Sequence, residues 1–217
     1  MLVLGVEKFR PSAIRETVAD ALRRTLLEGR FQPGESLSEV AIASEFHISR
    51  GPVREAMFIL AAEGLLNHTQ NRGFSVLNFT AQDLTKIEQV RIPLESLALL
   101  GARGNVTPQE LARLRTLRDN LSKSFEDGDH YGRWLCEIEF HSAIWELSGN
   151  SWLVASLKRI MIPSYMYGTA FRMNRPDLSG KLLHQLHSLY IEFLEGSSSH
   201  TAEECVRLHI GLPITAV

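Results

Sequence analysis

The stretch Ser49-Arg50-Gly51-Pro52-Val53-Arg54-Glu55-Ala56 constrains this chain more than any other, because it reads as the opening of one short helix with defined faces. Ser49 is a natural N-cap, its hydroxyl able to accept from a free N–H of the first turn. Pro52 falls in that turn, where a missing N–H costs nothing. Arg50 and Arg54 are four apart and share a face, while Val53, Ala56 and Leu60 form an apolar stripe turned away from them. Directly upstream, Ser38 to Phe46 reads as another short helix with Ser38 as its cap, and His47-Ile48 leaves room only for a tight turn. Two short helices joined in this way make a helix-turn-helix.

The flanking segments extend the pattern. Leu65-Leu66-Asn67-His68 and Phe74-Ser75-Val76-Leu77 are apolar runs around the polar loop Thr69-Gln70-Asn71-Arg72-Gly73, which predicts a β-hairpin with Arg72 at its tip. A longer helix from about Ser12 to Gly29 precedes the pair and is closed by Gly29-Arg30-Phe31-Gln32-Pro33-Gly34. A capped helix that buries one side and offers paired arginines at its start suits a DNA major groove. A hairpin behind it is a wing, from which Arg72 reaches the neighbouring minor groove. The formal net charge of −2 carries no such message. Charge placement outweighs the sum, since attraction to phosphate acts over about 8–10 Å.

After Leu77 the chain becomes a succession of helical apolar repeats. Thr80-Ala81-Gln82-Asp83 has capping-box spacing and opens a helix to about Arg103, with Leu84, Ile87, Val90, Leu94 and Leu97 as its apolar positions and Pro93 as an expected kink. Thr107-Pro108-Gln109-Glu110 opens another. Further helices are expected over about 131–147, 151–162 (capped by Ser151), 163–171, 181–195 and 201–210, with a loop at 175–180. The expected fold is therefore mainly α. Residues 1–78 form a winged helix-turn-helix domain with a small hairpin, and residues 79–217 form an antiparallel bundle of six or seven helices. Cys136 and Cys205 are too few and too far apart for a disulfide scaffold or a cysteine zinc site, and are expected as buried free thiols. No run approaches the ~20 apolar residues of a membrane span, and Met1–Val6 is too short for a signal, so a cytoplasmic protein with no membrane partner is expected.

The bundle carries a further chemical signal. Glu137 and His141 are four apart on one helix, and His187 and His209 lie on the last two, with His184 one turn before His187. A carboxylate and three imidazoles converging in a bundle core suit a divalent transition metal with open coordination positions. Taken singly, a helical histidine is more often a surface or satisfied core residue. Arg91 and Glu95 fall on the first helix of the bundle, where they are either an internal ion pair or a guanidinium held ready for a carboxylate.

Gly29 through Glu39, Ser49 through Ala56, Glu63-Gly64-Leu65 and Asn71-Arg72-Gly73-Phe74 resemble, in order and spacing, the winged helix of GntR-family bacterial transcription regulators. Many members have Thr where Gly51 stands, and some have a DNA-contacting Arg where Ser36 stands. Glu137-Ile138-Glu139-Phe140-His141 with Leu147 to Asn150, His187 with Glu192 to Gly196, and Ala202 with Val206 to His209 resemble the metal-binding FCD effector domain of the FadR subfamily. The resemblance implies DNA contacts from Ser38, Ser49, Arg50, Gly51, Arg54, Arg72 and Gly73. It implies a site for Zn²⁺, Ni²⁺ or Mn²⁺ made by Glu137, His141, His187 and His209, with His187 favoured over His184. Glu137 stands where the family usually has Asp. The implied effector is a small carboxylate held by Arg91, with Glu95, Tyr165 and Arg172 as further residues of its site. The implied whole is a homodimeric repressor on a palindromic double-stranded operator. Two other readings use the same residues: a regulator for which the ion itself is the effector, and a metal-dependent enzyme. The enzyme reading lacks an HExxH motif, a Gly-rich phosphate loop and a nucleophile signature.

Overall fold

The computed structural model describes residues 11–78, 80–171 and 178–211. The chain divides after Asn78 into two compact units. The first contains α1 (Pro11–Leu27), β1 (Ser36–Leu37), α2 (Glu39–Glu45), α3 (Arg50–Ala62), β2 (Leu66–Thr69) and β3 (Gly73–Val76). Its core is small and aliphatic, with Leu22, Leu26 and Leu27 of α1 and Val53, Ala56, Met57 and Leu60 of α3 buried together with Leu65 and Val76. The apolar stripe read on α3 is thus the side it buries. α1 and α3 are further tied by the buried Arg23, which donates from Nε and Nη2 to the Glu63 carboxylate at 3.1 and 2.8 Å.

Strands β2 and β3 pair antiparallel from Leu66–Val76 to Thr69–Gly73, and β1 adds to the other side of β3. The third strand was not expected. Two residues are too short to show alternation, and β1 exists only because β3 offers it an edge. The wing turns through Asn71 (φ 65°) and Gly73 (φ 78°), conformations that Asn and Gly adopt at least cost. His47 (φ 53°) makes the tight turn between α2 and α3 in the same way.

The second unit contains α4 (Ala81–Arg103), α5 (Pro108–Glu126), α6 (His130–Leu147), α7 (Ser151–Phe171), α8 (Gly180–Glu195) and α9 (Ala202–His209). Thr80 with Asp83, Thr107 with Glu110 and Thr201 with Glu204 each form reciprocal capping boxes. α4 is central and packs against α6, α7, α8 and α9, while α5 covers α6 and α8. Phe140, Ile144, Leu99, Leu114, Tyr190, Ile191 and Val206 lie in one shared core.

Five expectations are corrected here. The helices expected at 151–162 and 163–171 are one helix, α7, which runs through Pro163. A single lost hydrogen bond does not end a helix whose flanks are packed, and the cap is Asn150 rather than Ser151, with Asn150 Oδ1 accepting from Leu153 N at 3.1 Å. Ser49 takes the N-cap backbone conformation, but its hydroxyl makes no capping bond. The third helical position, which would normally donate to it, is Pro52 and has no N–H. On α4 the helix stands where expected, but its buried face is Ile92, Glu95, Ser96, Leu99 and Ala102, while Val90 and Leu97 are exposed. Cys205 is buried as expected, whereas Cys136 is only partly so.

Candidate nucleic-acid interface and candidate metal centre

In the first unit, the Ser38 hydroxyl caps α2 by accepting from Ala41 N at 3.2 Å. Arg50, Gly51 and Arg54 are exposed on the first turns of α3, and Arg72 is exposed at the wing tip beside the half-buried Gly73. A Cβ at Gly51 would meet open space. Arg54 is held from one side. Its Nε lies 3.0 Å from both oxygens of Glu39, and its Nη2 lies 2.9 Å from Oε2. Glu39 is the first residue of α2, so the two helices are linked at the surface through this pair. Nothing in the sequence spacing pointed to Glu39, because the partners are fifteen residues apart and meet only through the angle between α2 and α3.

In the second unit, Glu137 and His141 project from one face of α6, His187 comes from α8 and His209 from the end of α9. One donor atom from each lies within 4.8 Å of all the others. The Glu137 carboxylate reaches the centre of the group. Its Oε2 is 3.3 Å from His187 Nε2, and its Oε1 is 3.6 and 3.9 Å from Nε2 of His141 and His209. The extra methylene of Glu relative to Asp therefore still brings the carboxylate among the imidazoles. His184 faces Asp119 at 3.4 Å, well exposed, and is not in the cluster. Arg172 lies outside the described residues.

The hydrogen bonds assign the tautomers. His187 Nδ1 lies 2.8 Å from the Leu183 carbonyl, so Nδ1 carries a proton and Nε2 is the nitrogen turned toward the cluster. His209 Nδ1 lies 3.4 Å from Arg91 Nη2, which can only donate. His209 Nε2 then holds the proton and lies 3.3 Å from His187 Nε2. His141 is fully buried, and neither ring nitrogen has a hydrogen bond. Its Nδ1 faces Glu95 Oε1 at 3.4 Å.

Glu95 is the hub behind this face. It is 1% exposed. It accepts from Arg91 Nε at 3.0 Å and from the hydroxyls of Tyr165 and Tyr190 at 3.3 and 3.4 Å. Arg91 also reaches the Tyr165 hydroxyl at 3.5 Å. Tyr190 was not singled out from sequence, where a tyrosine four positions before Leu194 reads only as core.

The electrostatics follow from burying so many polar groups together. Burial alone would raise the Glu95 carboxyl, but Arg91, then His141 and His209, outweigh it and hold Glu95 below its ordinary value. Glu137 is likewise held well below, against its burial, by His187 and His141. Burial, reinforced by His187, His141 and Arg91, pushes His209 well below its usual value and keeps it neutral. His141 goes the other way, since Glu137 and Glu95 outweigh its burial and raise it. Burial and the Glu95 charge push the Tyr165 and Tyr190 hydroxyls up, so both remain donors.

Three imidazole nitrogens and a carboxylate oxygen are a donor set for a divalent transition ion. An unsatisfied, fully buried imidazole is costly without one. Donors about an ion with ~2.1 Å bonds lie at most ~4.2 Å apart, so a small contraction of the cluster would suffice. The residues fit such an ion.

Residues 14–76 match the family of bacterial regulatory proteins of the gntR type, and residues 86–212 match the FCD domain. The chain belongs to the GntR family and carries an FCD domain. It is 32% identical over 140 residues to the uncharacterised HTH-type transcriptional regulator YdhC of Bacillus subtilis, a match spanning 64% of this chain and 62% of that relative. It is 27% identical over 185 residues to the gluconate operon transcriptional repressor of Bacillus licheniformis, covering 82% of this chain and 74% of the relative. Its fold is that of E. coli McbR/YncC, with a TM-score of 0.68 at 24% identity over 91% of this chain and 93% of that one. The families and relatives are regulators rather than enzymes. No helix among the described residues is long and apolar enough to cross a membrane.

Proposed function

We propose that this protein is a DNA-binding repressor whose operator affinity is set by a small carboxylate bound beside a divalent metal ion in the second unit. The observation that carries this reading is the buried convergence of Glu137, His141, His187 and His209 next to Arg91. With neutral imidazoles and no ion, Arg91 stands against the two carboxylates Glu95 and Glu137, and the site is net anionic. A divalent ion reverses that sign, so an anionic effector is attracted only to the loaded site. When bound, the ion would supply a Lewis-acidic position for an effector oxygen. Arg91 offers Nη1, Tyr165 adds a hydroxyl, and Glu95 serves indirectly by fixing Arg91 and His141.

On the DNA side, Arg50 and Arg54 enter the major groove, with Ser38, Ser49 and Gly51 at the adjacent backbone and Arg72 and Gly73 reaching from the wing. One chain carries one such helix. A two-fold homodimer on a palindrome, with half-sites about 34 Å apart, gives the repressor its two reading heads. The exposed Val90, Leu97 and Leu100 of α4 support a partner surface in the second unit. An effector changes DNA affinity only through unequal affinity for the DNA-bound and free arrangements.

The test begins by selecting an operator from a random duplex library. Operator affinity is then measured after chelation, after reloading with Zn²⁺, Ni²⁺ or Mn²⁺, and with a panel of small carboxylates. The expected result is that the acids bind only the loaded protein and lower its operator affinity. Acid binding to chelated protein at undiminished affinity would overturn the reading. If metal alone shifts operator affinity and no acid does, the ion is itself the effector.

A further inference from the structure

Glu39 is an acid on the face assigned to DNA, where a bare carboxylate would repel phosphate. It is only slightly exposed, and its whole carboxylate is spent on Arg54. The contact uses one particular edge of the guanidinium. Nε and Nη2 form the side-on fork that faces Glu39. The end-on fork, made by Nη1 and the second hydrogen of Nη2, points away from the carboxylate and keeps two parallel donors. That is the fork that pairs with O6 and N7 of guanine in the major groove. The ion pair also cancels the charge of Arg54 while fixing its direction. Both effects disfavour a role as a diffuse phosphate anchor and favour base reading.

We propose that Glu39 is a specificity-determining residue. It buttresses Arg54 by its side edge, so that the end edge reads a guanine in each half-site. This inference rests on the reading of α3 as the DNA-contacting helix.

The test measures wild type, Glu39→Gln, Glu39→Ala, Arg54→Ala and the double variant Glu39→Ala plus Arg54→Ala. Each is titrated on the selected operator and on operators with every half-site guanine replaced in turn, at several salt concentrations. Arg54→Ala is expected to erase a preference of about tenfold or more at one guanine while binding other positions as before. Glu39→Ala should erase most of that same preference, with Glu39→Gln, which keeps one acceptor oxygen, in between. The double variant should lose no more discrimination than Arg54→Ala alone. Freeing the Arg54 charge should also steepen the salt dependence by up to about one unit of slope. A purely structural role for Glu39 would weaken all operators alike and would show in the unfolding midpoint. The proposal fails if Glu39→Gln and Glu39→Ala both keep the full guanine preference. It also fails if Arg54→Ala weakens every operator equally, which would make Arg54 a phosphate contact. The underlying reading fails separately if Arg50→Ala plus Arg54→Ala leaves operator binding intact.

Discussion

The two units put charge to use in opposite ways. In the first, the cations Arg50, Arg54 and Arg72 stand on the surface, and only Arg54 is steered, by one carboxylate at its side. In the second, Arg91, Glu95, Glu137 and three histidines are drawn into the core, where every group bears on its neighbours. Surface charges are screened and nearly independent, so each can be removed at a local cost. Buried charges are stable only as a set, because removing one leaves another unpaired in low dielectric. A surface built in the first way suits reading a large charged partner. A core built in the second way suits holding a small, strongly charged ligand and responding to its presence.

That contrast can be broken at either end. The largest effect is expected from Arg50→Ala plus Arg54→Ala, which should weaken operator binding by about a hundredfold or more in a gel-shift titration while leaving metal content unchanged. Operator binding within a few-fold of wild type would remove the reading face from α3. Next, His187→Ala should lower metal affinity by about a hundredfold in a chelator competition, with operator binding by the metal-free protein unaffected. Undiminished metal uptake would place the ion elsewhere. Glu95→Gln should cost about tenfold in the same competition, since it loosens His141 and Arg91 without touching the ion.

A smaller effect is expected from acid. Glu95 and Glu137 are held below their ordinary value of 4.5, so their contribution to folding is complete above that pH and is lost as pH falls toward the folded values. His209, held below 6.5, adds a loss that begins as pH drops through 6.5, while the raised His141 contributes in the opposite sense, fully below 6.5 and less above its folded value. The chelated protein should therefore unfold at a falling temperature below about pH 4.5 in a calorimetric series. A flat profile to pH 3.5 would deny that the carboxylates are paired in the core. The smallest effect belongs to Gly51→Ala, where open space around a new Cβ predicts a gain of about 0.5 kcal/mol in stability from helix propensity alone.

Much of the helical layout was legible because its signals are local. Thr80 with Asp83 and Thr107 with Glu110 announce helix starts through bonds that span three residues, and both form as read. Local reading failed where two local rules collided. Ser49 is a good cap in isolation, but Pro52 removes the donor it would serve. Pro163 reads as a break, yet α7 continues because packing on both flanks outweighs one lost bond. The cluster histidines were nameable from their spacing and their family resemblance. Tyr190 and Glu39 were not, since each acts through a partner on another helix.

Residue order alone determined where α3, α4 and α5 begin, that Arg50 and Arg54 share one face, and that Glu137 and His141 point the same way, since each depends only on helical period and end chemistry. Tertiary structure alone decided which face of α4 is buried, that Tyr190 joins Tyr165 on Glu95, and that Glu39 grips one edge of Arg54. Those outcomes depend on the angles at which helices cross, and these are set by the packing of whole cores rather than by any short stretch of chain.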